Sequence, residues 1–119
     1  MKLGRKGWIA MMLGAGLLTM AGCKSPHVEV SVVNQTGAEV RLLEVDYPSA
    51  SFGVDVIKAG DSTHYRIQVQ GRGKVKVQYT GQNEKQVQVT GPELKEGEQG
   101  TLAITLEPSG KAEFAQSMK

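Results

Sequence analysis

Few residues in this chain are of the types that chemistry needs, and their spacing brings few of them together. The 119 residues include two histidines and one cysteine. His27 and His64 stand apart from each other and from any cysteine or carboxylate pair, so neither points to a metal site and no metal is expected. Nucleophilic catalysis needs a serine or cysteine, a base and an orienting group brought together. Ser62 and His64 come nearest to that, but they share one strand phase and read as two exposed polar residues with no oxyanion hole. Glu93, Glu96 and Glu98 read as a solvated acidic loop. Gly71-Arg72-Gly73 precedes no helix whose N-terminus could hold a phosphate. Asn34-Gln35-Thr36 has the form of a glycosylation sequon and reads here as a turn. No catalytic residue, no cofactor and no enzymatic activity are expected.

The remaining reactive residue, Cys23, belongs to a different chemistry. Lys2, Arg5 and Lys6 precede an apolar stretch from Trp8 to Leu18, and small residues follow at Ala21 and Gly22. Charged, apolar, small is the order of a secretory signal. The stretch falls short of the roughly 20 apolar residues of a spanning helix. Leu18-Thr19-Met20-Ala21-Gly22-Cys23 resembles the lipobox of bacterial lipoproteins, with Met20 where leucine is commoner. The resemblance implies a diacylglycerol on the Cys23 sulfur, cleavage before it, and a membrane-lipid partner engaged by its acyl chains. Two or three such chains anchor stably. A thioether also removes the liability of a free thiol in an oxidising envelope. Lys24 in the next position favours the outer membrane, facing the periplasm, in a cell with two membranes. Lys24 to His27 make a tether of at most about 14 Å.

Charge excludes one class of partner. The whole chain has fourteen basic and twelve acidic residues. Three of the basic ones lie in the signal, which has no acid, so the remainder is close to neutral. Its lysines and arginines are scattered, with no stripe for a phosphate backbone, and no nucleic-acid partner is expected. A lone cysteine permits no intrachain disulfide.

Period-two alternation dominates residues 28–107. Val28, Val30 and Val32 share a phase, as do Tyr65, Ile67 and Val69; Val75, Val77 and Tyr79; Val87 and Val89; and Leu102, Ile104 and Leu106. A less regular strand spans Ala38 to Val45, where consecutive Leu42 and Leu43 imply a bulge or cover by a neighbour. Another has Phe52, Val54 and Val56 in one phase, interrupted by Gly53. Turns with Gly or Asn separate these runs at 8–12 residue spacing. The expectation is an all-β fold, a seven-stranded antiparallel sandwich. In its general architecture it resembles an immunoglobulin-like domain, without that family's disulfide or core tryptophan. The expected organisation is signal peptide 1–22, lipidated tether 23–27, β-sandwich 28–107 and flexible C-terminal tail 108–119.

Two surfaces are candidates for recognition. The segment from Asp46 to Gly53 is polar and aromatic. Either Tyr47 and Phe52 form a contact patch stiffened by Pro48, or Phe52 packs in the core with Tyr47 capping it. The stretch from Glu44 to Gly53 also resembles one in short bacterial lipoproteins, a likeness that implies no activity. The second surface is a glutamine-rich sheet face of Gln68, Gln70, Gln78, Gln86 and Gln88. The functional expectation is a membrane-anchored envelope lipoprotein acting as a non-catalytic binding or assembly module for another envelope protein. The alternative is a small-ligand or glycan-binding lipoprotein.

Overall fold

The computed structural model describes residues 25–119. The signal peptide, Cys23 and Lys24 lie outside the described residues. The fold is all-β, with eight strands in two four-stranded sheets. The strands are β1 (Val28–Asn34), β2 (Val40–Tyr47), β3 (Ala50–Ile57), β4 (Ser62–Ile67), β5 (Gly73–Thr80), β6 (Gln86–Leu94), β7 (Gly100–Glu107) and β8 (Lys111–Met118). One sheet runs β4-β1-β7-β8 and the other β3-β2-β5-β6. The chain passes back and forth between them and packs an apolar phase of each sheet against the other. In β3 the phase read as Phe52, Val54 and Val56 breaks, because the bulge at Leu42 turns Val56 outward and Ile57 inward. Val30, Val32, Leu102 and Ile104 from one sheet and Val45 and Val77 from the other are at most 1% exposed.

Two features depart from the sequence expectation. The strand count is eight, because Lys111–Met118, placed in a flexible tail, pairs along β7 from Gly100↔Met118 to Glu107↔Lys111. Pro108-Ser109-Gly110 does not end the domain. It is a tight reversal in which Ser109 and Gly110 both have positive φ. β8 alternates only in its first half, with half-buried Ala112 and Phe114 packed against the core. The sheet is also not wholly antiparallel. β1 and β7 run parallel, from Val28↔Gly100 to Asn34↔Leu106. The remaining pairs are antiparallel.

The paired leucines of β2 form an irregularity, as their adjacency implies. Leu42 takes φ +53° and its side chain is 63% exposed, whereas Leu43 is buried. The register against β5 shifts between Arg41 and Glu44. One buried polar residue ties the loops at that end of the sandwich. Asn34 is fully buried, and its Nδ2 donates to the carbonyls of Ala38 and Ile57, each at 2.8 Å. Its Oδ1 accepts from Thr36 N and Thr36 Oγ1. Every hydrogen-bonding atom of that carboxamide is used, which is what permits its burial. It also rules out the sequon as an accessible glycan acceptor.

Candidate functional site: an aromatic flank between two edge strands

β3 and β4 each end a sheet, and they lie on the same side of the sandwich. The segment from Asp46 to Gly53 is therefore a tight hairpin rather than a loop. β2 turns through Pro48-Ser49, with Ser49 at φ +82°, and Tyr47 pairs with Ala50. This register points Phe52 inward, opposite Val45. Phe52 is buried at the rim of the core, and half-buried Tyr47 packs beside it with ring centroids 6.5 Å apart. The third ring was not singled out from the sequence. Tyr65 of β4 stacks on Phe52 at 4.1 Å with planes 10° apart, so one aromatic pair bridges the two sheets. The Tyr65 hydroxyl donates to the Gly53 carbonyl at 3.4 Å. Only the shared inward phase of Tyr65 hinted at this, because the contact crosses between sheets.

The flank is apolar outside as well as inside. Leu42, Val56 and Tyr65 are the exposed large hydrophobic residues, at 63%, 45% and 39%. A shallow groove of about 350 Å³ runs past Val54, Val56, Ile57, Ser62 and Thr63. A second hollow of about 320 Å³ lies beside Leu42 and Phe52. β3 carries a single charge, Asp55, and its outer backbone edge has no strand partner among the described residues.

The opposite flank is built differently. There β6 contains Pro92, which donates no hydrogen bond, and a register irregularity against β5. The Phe114 ring of β8 lies so close over Gly91 that a Cβ there would sit 2.6 Å from it. That side carries a proline in its edge strand and, among the described residues, no exposed large hydrophobic residue, whereas Leu42, Val56 and Tyr65 are exposed on the β3/β4 side.

Electrostatics on the neighbouring sheet face are modest. Glu44 accepts from Gln78 Nε2 at 2.9 Å. Asp46 shares this face, and its carboxyl is raised above the usual range by partial burial and then by its hydrogen bond to and repulsion from Glu44, opposed by Lys76.

The other sequence candidates are dispersed. The glutamines do not form one face. Gln78, Gln86 and Gln88 lie on β5 and β6, whereas Gln68 and Gln70 follow the end of β4 in the other sheet. The separation follows from the crossover between β4 and β5, which changes sheets. Gln86 donates to Thr80 Oγ1 at 2.9 Å. Ser62 and His64 are exposed on β4. His27 Nε2 lies 3.2 Å from Glu29 Oε2, which also accepts from Arg66 Nε at 2.9 Å. The three glutamates do not share one loop: Glu93 lies on β6 opposite Lys74, while Glu96 accepts from Gly71 N and Glu98 from Lys95 N. Among the described residues no group of three or more His, Cys, Asp or Glu is placed to hold a metal ion. Among them, too, no helix is long and apolar enough to cross a membrane.

No protein-family profile matches the chain, and no curated protein does. Among solved structures, the chain is similar to a protein from Eubacterium rectale determined by NMR. The TM-score is 0.56 at 16% identity, over 78% of this chain and 90% of that one. At that identity the likeness concerns the fold alone.

Proposed function

We propose that this chain is a lipid-anchored envelope lipoprotein, whose sandwich is a non-catalytic binding or assembly module that engages another envelope protein through the β3/β4 flank. The observation that carries the reading is the exposure of Val56 on terminal strand β3, Leu42 on its neighbour β2 and Tyr65 on terminal strand β4, beside the free backbone edge of β3. Apolar patches beside open edges are where chains pair or dock. The lipobox-like run ending at Cys23 supports the anchor, and Lys24 supports the outer membrane, facing the periplasm, in a two-membrane cell. The sandwich is read as immunoglobulin-like. The order β3-β2-β5-β6 corresponds to C′-C-F-G, and the antiparallel β1–β4 pair to B and E. β7 stands where strand A would, but runs parallel to β1.

Placing a photoreactive amino acid at Val56 and, as control, at Gln88 tests this in intact membranes. A discrete adduct at position 56 alone, lost in Cys23→Ala, is expected. Equal labelling at both positions, or none at 56, overturns the docking surface. Absence of alkyne fatty-acid incorporation into the wild-type chain overturns the anchor separately. The second reading, a small-ligand or glycan-binding lipoprotein, is favoured by one observation: a cavity against Tyr79, away from the flank.

A further inference from the structure

The β5–β6 turn, the β7–β8 turn and the β1–β2 loop meet at one end of the sandwich around a cavity of about 330 Å³. That volume is at the lower end of the range of small-molecule sites. Three segments far apart in sequence supply its walls. Tyr79, Ala38, Val87 and Pro108 give apolar surface, and Gln82 and Asn83 give carboxamides. Lys85 and Glu107 also line it, so the charges of the two balance. Asn83 and Ser109, on opposite turns, are both held in the left-handed region, at φ +59° and +68°.

Tyr79, one of the residues lining this cavity, carries a group the fold does not satisfy. Tyr79 is 3% exposed, and its hydroxyl has no hydrogen-bond partner among the described residues. Buried polar groups are ordinarily paired, and one left unpaired carries its full desolvation cost. The other deeply buried polar side chains of this domain follow the rule: Asn34 is saturated, and Thr80 accepts from Gln86. Burial accordingly raises the Tyr79 phenol above its ordinary value, with no hydrogen bond offsetting it.

We infer that this cavity binds a neutral saccharide unit, which hydrogen-bonds the buried Tyr79 hydroxyl and the Gln82 and Asn83 carboxamides. The inference rests on the glycan-binding reading. A sugar presents apolar C–H faces edged by hydroxyls that both donate and accept, which matches aromatic and aliphatic walls edged by carboxamides. A charged ligand would find no net charge of opposite sign, because Lys85 and Glu107 cancel.

The test is a titration of the full-length protein in lipid nanodiscs with maltose, cellobiose and N,N′-diacetylchitobiose, followed by NMR with labelled tyrosine, asparagine and glutamine. At least one sugar is expected to shift the Tyr79 ring carbons and the Asn83 side-chain amide at millimolar concentration. Tyr79→Phe should raise the thermal midpoint of the free protein, because it removes an unpaired buried hydroxyl, and weaken that sugar about tenfold. Asn83→Gly suits the left-handed backbone and should weaken it as well. No shift at these residues with any of the three sugars, or equal affinity in both variants, overturns the site and leaves a cavity filled by water only. Either outcome is independent of crosslinking at Val56, so the two sites fail separately.

Discussion

The Tyr65 ring lies flat on the Phe52 ring, 4.1 Å away, although the two residues belong to edge strands of different sheets. Stacked aromatic pairs contribute about 0.5–1.5 kcal/mol beyond their buried area. Phe52→Ala also empties a core-rim site and should cost about 3–5 kcal/mol. Tyr65→Ala, at a more exposed ring, should cost less. Urea unfolding of both single variants and the double variant should give a coupling within the range of the stack. Strict additivity would mean that the rings merely lie near each other.

Asn34 is the polar residue on which the loops at one end depend. Asn34→Ala leaves the Ala38 and Ile57 carbonyls and the Thr36 amide without their partner. The expected loss is about 3 kcal/mol, read from chemical denaturation. Asn34→Asp should be no milder, because a carboxylate would face two carbonyl oxygens.

Gly100 opens β7 with φ +143°, and a Cβ there would collide with the Ser117 carbonyl oxygen and sit 2.7 Å from Met118 Cα. Both obstacles are backbone, so no rotamer change relieves them. Gly100→Ala should destabilise by about 2–4 kcal/mol. Amide exchange should quicken first in residues 115–119, where β8 must move aside.

The raised carboxyl of Asp46 gives a pH signature. A folded-state value above the unfolded one favours the protonated form, so this group's contribution is fully present at acid pH and is lost as pH rises through the folded value. Asp46→Asn should therefore be more stable than wild type at neutral pH. Thermal melts should show that advantage shrinking to nothing as pH falls below the ordinary aspartate value of 3.8. An advantage that persisted unchanged in acid would assign the gain to something other than ionisation.

Strand content was legible in the sequence because alternation is local: Val28, Val30 and Val32 of β1 lie inward whatever they meet across the core. The β2 bulge was legible for the same reason, since Leu42 and Leu43 cannot both face inward on regular backbone. β8 was harder to read. As an edge strand it is only partly buried, so Ala112 and Phe114 stand among Lys111, Glu113, Gln116 and Ser117 with little apolar contrast. The parallel β1–β7 pair, the Phe52–Tyr65 stack, the separation of the glutamines and the cavity over Tyr79 all depend on which sheet each strand joins. Side-chain phase is set by neighbouring residues, whereas sheet partnership is set by long-range packing. The sequence by itself therefore determined which runs carry an apolar phase, and only the tertiary structure decided what they face and, at the Leu42 bulge that turns Val56 outward and Ile57 inward, which residues lie inside.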